Sequence, residues 1–309
     1  MTMDWTISKD RIIWLDIAKG IAIILMVIGH SSIPQSLSNF IWSFHMPLFF
    51  IASGWCTNWD NDGFGVFTLR KTKLLLIPFV IYSCIVLITK QLIGGGNIPD
   101  VLINGWQGTP LWFIPVLFMA LVLSKTITSV NNKNIQSLLW VACAVFGTVL
   151  SYEKVRLPWT LCTVPYACFL IILGSHVRKY QEYINIPRWW LLVSGFMIAT
   201  VVSHFYRLDM AWNNITPVTI LTLGACAGTS MIFTLSSYIG KYTKWASRIL
   251  QSVGKETYII LAFSELPIMI CNQYFTTNII VKYSILVVVL IALKYIKDGA
   301  NKLANTKIL

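Results

Sequence analysis

Residues 11–32 read RIIWLDIAKGIAIILMVIGHSS, an almost continuous apolar run that is interrupted by Asp16, Lys19 and His30. A helix of about 20 apolar residues is long enough to cross the hydrocarbon core of a bilayer. Ionisable side chains inside such a helix cost free energy, and for that reason they usually mark a functional site. This stretch therefore predicts a membrane helix with a site along it.

The rest of the chain repeats the apolar pattern. Of its 309 residues, 56% are hydrophobic and only 12% are charged, which is about half the charged fraction of a soluble protein. We therefore predict an all-α, polytopic membrane bundle that forms one membrane-embedded domain over residues 1–309. The ten predicted spans cover residues 12–31, 36–56, 74–93, 110–129, 135–151, 160–177, 188–206, 215–239, 257–275 and 278–296.

Lysine and arginine residues lie mainly in the short connections between these spans. Counted on alternate sides, 18 fall on one side and 5 on the other, and Lys19 lies inside the first span. Because short loops rich in Lys and Arg stay in the cytoplasm, we predict that both termini are cytoplasmic and that the protein lies in the cell (inner) membrane. The same distribution accounts for the net charge of +12 without a nucleic-acid partner. The seven cysteines lack metal-ligand spacing, so no metal is predicted.

The polar residues of the first span form a stripe. Asp16 and Lys19 are three residues apart and can pair on one helix face. His30 follows Lys19 by eleven residues, or about three turns and roughly 16 Å of rise, so it shares that face. Gly20 and Gly29 allow a neighbouring helix or ligand to come close. The structural alternative is an ion pair near the interface together with an interfacial histidine.

The second span reads FIWSFHMPLFFIASGW over residues 40–55 and places His45 near its middle, two residues before Pro47. Proline removes a backbone donor and loosens the helix. A histidine beside a broken backbone bond at membrane depth indicates a cavity. The alternative is a histidine that hydrogen-bonds the freed carbonyl and holds a kink.

Further candidates lie in the connections and in a late span. Arg70 and Lys73 are spaced i, i+3 at a helix start, where two cations suit the phosphates of a cytoplasmic ligand, although they also fit a topology signal. Trp112 is either an interfacial belt residue or a platform for a sugar ring. Glu265, inside the ninth span, needs a partner, for which the histidines or Lys19 are candidates.

Several of these motifs together resemble the membrane-bound acyltransferase-3 family, which includes polysaccharide O-acetyltransferases and fucose 4-O-acetylase-like proteins. The resemblance is dense over about residues 11–79 and sparse elsewhere. The matching elements are Arg11-x-x-x-Leu15-Asp16-x-x-Lys19-Gly20, Gly29-His30-Ser31, Phe44-His45-Met46-Pro47-Leu48-Phe49-Phe50 and Pro110-Leu111-Trp112-Phe113.

The resemblance implies transfer of an acyl group, usually acetyl, from cytoplasmic acetyl-CoA to a hydroxyl of a cell-surface glycan or glycolipid precursor. It implies His30 as the general base, and Lys19, Arg70 and Lys73 as the residues that hold the donor. Within that function, His45 and Asp16 are further catalytic candidates, and Trp112 and Glu265 are candidates for holding the acceptor. Two positions depart from the family pattern, since Lys73 replaces an arginine and Glu265 stands where relatives often have a histidine.

A transporter of glycans or acyl groups is the competing functional interpretation. Buried histidine and carboxylate side chains also serve as proton relays in membrane transporters. The absence of a clear internal repeat weighs against a repeat-built transporter. Acyl transfer that depends on a glycan acceptor would distinguish the two functions.

Overall fold

The computed structural model of the protein describes residues 12–30, 33–94, 97–181, 187–275 and 278–303. Predictions that concern Lys9, Arg11, Ser31 or Lys307 lie outside these residues. The α-helices, named α1 to α15 in chain order, are Ile13–Gly29, Gln35–Trp42, His45–Cys56, Phe64–Lys71, Ile77–Leu92, Ile98–Asn104, Phe113–Thr128, Lys133–Tyr152, Val164–Tyr180, Arg188–Phe205, Val218–Tyr242, Lys244–Lys255, Thr257–Phe263, Glu265–Ile270 and Ile279–Leu303.

Helical segments long and apolar enough to cross a membrane account for the third to eighth predicted spans. A hydrocarbon core of about 30 Å needs about 20 helical residues, and each of these segments meets or approaches that length. The protein is therefore a helical, multi-pass membrane protein. Six such segments occur in the part of the chain that the structure describes: Phe64–Leu92, Pro110–Thr128, Lys133–Tyr152, Pro158–Tyr180, Arg188–Phe205 and Val218–Tyr242.

The second predicted span is not one helix. It is divided into α2 and α3 by a turn at Ser43 and Phe44, so His45 begins a helix rather than lying in the middle of one. Pro47 is the third residue of α3. Proline is tolerated in the first turn because a backbone N–H there has no helical partner, which explains why the new helix begins just before it. The turn places His45 at a helix end, next to the end of α1.

The ninth predicted span is also broken. It consists of α13, α14 and a π-helical turn over Cys271–Phe275, with Ser264 between the two α-helices. Pro267 is the third residue of α14, as Pro47 is of α3. The segment predicted as the ninth span is therefore a broken helix, and Glu265 lies at a helix start.

Helix α12 fixes the polar half of α1. A Cβ atom on Gly20 would lie 2.2 Å from the carbonyl oxygen of Leu250, and one on Gly254 would lie 1.8 Å from that of Asp16. Both distances are far below van der Waals contact, so the two backbones can touch only because both residues are glycine. The expectation that Gly20 admits a neighbouring helix is confirmed.

Helices α1, α3 and α9 form the centre of the bundle, where α3 packs on α9 and on α1, and α1 packs on α11 and α12. Leu15, Leu48 and Ile171 from the three helices are almost completely buried. This packing places α1 and α3 side by side, so that their polar residues face shared spaces.

Candidate active site

His30 and His45 line one cavity, which we call the histidine cavity. It holds about 40 Å³. The structure thus brings together His30, His45 and Trp112, which the sequence had suggested separately. The remaining lining residues come from α1, from the α2–α3 region, from residues 108–110 and from residues 208–212: Met26, Trp42, Met46, Gly108, Thr109, Pro110, Leu208, Asp209, Met210, Ala211 and Trp212.

Each histidine is held through the same ring nitrogen. Nδ1 of His30 lies 2.9 Å from the carbonyl oxygen of Met26, and Nδ1 of His45 lies 3.0 Å from that of Ile41. A carbonyl can only accept a hydrogen bond, so Nδ1 carries the proton in both rings. Nε2 of the neutral imidazole is then the atom that can accept a proton. The Trp42 ring is close to both, with its centre 5.4 Å from that of His30 and 6.0 Å from that of His45.

The loop between α10 and α11 supplies a buried carboxylate that sequence reasoning missed. Oδ1 of Asp209 accepts a hydrogen bond from the backbone N–H of Trp212 at 3.3 Å, and Oδ2 lies 3.7 Å from Arg207. The guanidinium of Arg207 lies 4.4 Å from the centre of the Trp42 ring. Burial raises the pKa of Asp209, whereas the neighbouring Arg207 and His30 lower it. The signal in the sequence was weak, since an acidic residue in a polar loop is ordinary.

A second cavity, the lysine cavity, begins one turn earlier along α1 and holds about 290 Å³. Lys19 and Lys71 are its cationic residues, and most of its lining is apolar. Nζ of Lys19 lies 2.7 Å from Oδ1 of Asp16, whose side chain is buried, so the predicted pair exists. Asp16 lines neither cavity and lies apart from the histidines. Its geometry fits the positioning of Lys19.

The predicted donor-binding residues Arg70 and Lys73 lie on either side of the junction between α4 and a π-helical turn over Thr72–Leu76. Arg70 forms an ion pair with Asp62 at 2.7 Å, and Lys73 is exposed. Neither residue lines the lysine cavity, where Lys71 takes part instead.

Glu265 has a different partner from those predicted. Oε1 of Glu265 lies 3.7 Å from Nζ of Lys90, and its side chain is 42% exposed. It lines neither the histidine cavity nor the lysine cavity. The break at Ser264 places Glu265 on the first turn of α14, so the prediction that it pairs with a histidine or with Lys19 was wrong.

Two phenylalanines line the lysine cavity close to the histidine cavity. Phe49 and Phe113 line the lysine cavity, whereas Met46, three residues earlier in α3, and Trp112, the residue before α7, line the histidine cavity. The rings of Phe49 and Phe113 are buried and their centres are 5.8 Å apart. We call this pair the aromatic wall. Two chemically different cavities therefore lie back to back along α1 and α3.

The residues that the structure describes include no cluster of metal-binding side chains. No group of three or more His, Cys, Asp or Glu side chains is placed there to hold a metal ion. The imidazoles of the histidine cavity offer Nε2 as a group for proton transfer.

Comparison with known proteins identifies the family. The family model described as an acyltransferase domain, that of the acyltransferase-3 family, matches residues 12–297. The nodulation protein NolL of Mesorhizobium japonicum is 24% identical over 231 residues, which are 67% of this chain and 60% of that protein. The chain thus spans less than two thirds of that relative's length. No solved structure matches the chain. The resemblance inferred from the first two spans is confirmed: the chain belongs to the acyltransferase-3 family.

Proposed function

We propose that the protein is a membrane O-acyltransferase that moves an acetyl group from cytoplasmic acetyl-CoA to a hydroxyl of a cell-surface glycan or glycolipid precursor. The observation that carries this proposal is the back-to-back arrangement of the two cavities. Lys19 and Lys71 in one cavity suit an anionic donor, and His30 and His45 in the other suit a hydroxyl that must lose a proton.

In the proposed reaction, the acceptor hydroxyl enters the histidine cavity and Nε2 of His30 takes its proton. The hydroxyl oxygen attacks the thioester carbonyl, the carbon–sulfur bond breaks, and an oxygen ester forms. The CoA thiolate leaves and takes up the proton from His30. General-base catalysis of this kind contributes roughly 10²–10⁴-fold in rate. Isolation from bulk water favours transfer over hydrolysis.

The surroundings of the histidines fit a sugar acceptor. Trp42, Trp112 and Trp212 all line the histidine cavity, and the apolar face of a sugar ring packs well on aromatic rings. The cavity of about 40 Å³ is little larger than the ~30 Å³ that one water occupies in the liquid. Only the reacting hydroxyl group would enter, while the rest of the glycan lies against the rim formed by the α10–α11 loop.

We assign the lysine cavity to the cytoplasmic side, in a chain that crosses the cell (inner) membrane ten times with both termini in the cytoplasm. The charge bias of the loops supports this orientation. In it, His30 lies toward the outer face, where a cell-surface precursor would be modified. Acetyl-CoA would approach from the cytoplasm, where Lys19 and Lys71 meet it.

The test is an assay of purified protein in lipid with acetyl-labelled acetyl-CoA and a panel of glycan acceptors. We expect CoA release that depends on the acceptor, together with label in an alkali-labile ester on it. His30→Ala, shown to insert and fold normally, should lose both signals. Movement of the glycan across the membrane without acetyl transfer would instead identify a transporter and overturn the proposal.

A further inference from the structure

A third cavity, the basic cavity, lies between the loop after α3, the start of α8 and the end of α9. It holds about 720 Å³, within the roughly 300–1,000 Å³ of typical small-molecule sites. Three cationic side chains, Lys133, Arg178 and Lys179, line it against one acidic residue, Asp60. These cations come from the start of α8 and the end of α9, which the fold packs side by side.

One wall of the basic cavity is aromatic. The ring of Trp140 lies 4.9 Å from that of His176, and His176 stacks on Tyr180 with ring centres 6.3 Å apart. Trp140, His176 and Tyr180 all line the cavity. Such a row of rings gives a heterocyclic base a face on which to stack. Cations beside aromatic rings suit a nucleotide better than an inorganic anion alone.

Polar groups around the basic cavity also retain binding capacity. NH1 of Arg178 donates a hydrogen bond to the carbonyl oxygen of Trp55 at 2.9 Å, which uses one of the five donors of a guanidinium. Nε1 of Trp59 and Oε1 of Gln181 are buried without a hydrogen-bond partner in the described chain, and both residues line the cavity. Buried polar atoms in folded proteins are normally paired. A bound polar ligand would satisfy them.

The basic cavity adjoins the lysine cavity, because Thr57 lines both. A single elongated ligand can therefore place an anionic end in the basic cavity and a thin, mostly apolar arm in the lysine cavity. Acetyl-CoA has this shape, with a phosphorylated adenosine at one end and a pantetheine thioester at the other.

Resting on the proposed function, we propose that Lys133, Arg178 and Lys179 bind the phosphates of the adenosine end of acetyl-CoA, with Trp140 and His176 offering a face to the adenine. This assignment replaces the predicted role of Arg70 and Lys73. Arg70 is engaged by Asp62, and neither residue lines the basic cavity.

The test is equilibrium binding of labelled adenosine 3′,5′-bisphosphate to the full-length protein in lipid nanodiscs, which needs no catalysis. We expect Arg178→Gln with Lys179→Gln to weaken binding at least about tenfold, because charge-assisted hydrogen bonds are lost. Lys133→Gln changes an exposed side chain, so of the three substitutions it is among the least disturbing to the fold, and it should also weaken binding. Arg248→Gln is the matched control, because Arg248 is an exposed arginine outside the basic cavity.

Kinetics separate this proposal from the proposed function. The variants should raise the KM for acetyl-CoA at unchanged kcat and leave transfer from acetyl-pantetheine, which lacks the adenosine end, unaltered. If the protein is active but none of the three substitutions changes bisphosphate binding or the KM for acetyl-CoA, the proposed site is wrong and the proposed function stands. If the protein binds the bisphosphate, the variants abolish that binding, and no acetyl group is transferred, the proposed site is supported and the proposed function is wrong.

Discussion

Nδ1 of His30 and Nδ1 of His45 bind the carbonyl oxygens of the residues four positions earlier, at nearly equal distances of 2.9 and 3.0 Å. The two imidazoles are thus fixed in the same tautomer, with Nε2 as the basic atom. They differ in burial, since His45 is 2% exposed and His30 lies at the exposed end of α1. The more accessible histidine is the better candidate for the base, and the buried one is better placed to shape the cavity.

Replacing His30 tests this assignment. We expect His30→Ala to lower kcat roughly 10²–10⁴-fold, because the general base is lost, and to leave the KM for acetyl-CoA unchanged, because the donor binds elsewhere. The measurement is initial-rate kinetics in proteoliposomes. His204→Ala is the matched control, since His204 is exposed and lies outside the histidine cavity. Equal rates for the two variants would show that His30 is not the base.

The carboxyl group of Asp209 gives stability a pH dependence. Burial raises its pKa in the folded protein, so the folded state holds the proton more tightly than the unfolded chain does. This contribution to stability is full below the unfolded pKa of ~3.9 and is lost as the pH rises through the folded pKa. Asn keeps the oxygen that accepts from Trp212 and does not titrate. The wild type should therefore lose stability relative to Asp209→Asn as the pH rises from about 4.

Thermal unfolding midpoints of both proteins, measured in detergent across the acidic to neutral range, provide the readout. A difference between them that stays constant with pH, or that grows in favour of the wild type as pH rises, contradicts the raised pKa of Asp209.

The pair formed by Asp16 and Lys19 separates stability from donor binding. Lys19→Met removes a cation 2.7 Å from a buried carboxylate, which should cost roughly 2 kcal/mol of unfolding free energy. Adding Asp16→Asn should recover much of that loss, because a neutral amide tolerates burial. Affinity for acetyl-CoA should stay low in both variants, since Lys19 is missing from each. A double-mutant cycle on stability, paired with CoA titration, checks both halves. Donor affinity restored in the double variant would exclude direct binding by Lys19.

Because α1 and α12 touch at Gly20 and Gly254, we expect neither position to tolerate even the methyl side chain of alanine. Gly20→Ala and Gly254→Ala each place Cβ within 2.2 Å of a backbone carbonyl oxygen, and overpacking of this kind typically costs about 1–3 kcal/mol. Gly65→Ala is the control, because its Cβ would meet no atom within 4 Å. Because alanine favours a helix more than glycine does, Gly65→Ala in the exposed helix α4 should raise the free energy of unfolding by as much as about 1 kcal/mol. The measurement is the thermal unfolding midpoint of each of the three variants. An unchanged midpoint for Gly254→Ala would show that the two helices separate easily.

Local sequence was sufficient for features set by one helix. The apolar runs predicted the membrane helices, and the three-residue spacing predicted that Asp16 pairs with Lys19. Backbone departures from a regular helix were not predictable in the same way. Pro47 indicated a disturbed helix near His45 but not a turn at Ser43 and Phe44, and the π-helical turn after α4 was not foreseen from the sequence.

Contacts between distant segments account for the rest of what sequence reasoning missed. Asp209 reaches the cavity of His30 from a loop nearly 180 residues later in the chain, and Arg178 and Lys133 line one cavity from two different helices. Each of these residues has an ordinary explanation in its own segment, as a loop acid or as a topology signal. Only the folded arrangement distinguishes them from other residues of the same type.

The packing of Phe49 against Phe113 also has a consequence for the proton gradient across the membrane. In the proposed orientation the two cavities open toward opposite compartments, and a continuous column of water between them would let protons run down their gradient. The packed rings of Phe49 and Phe113 are an apolar obstacle to such a column. In the proposed reaction the acetyl group stays bonded to the CoA sulfur until the hydroxyl attacks, so only the uncharged thioester end of the donor has to pass the rings, whereas a hydrated ion would have to shed its water at high cost. The proposed acyl transfer therefore needs no open water path across the membrane.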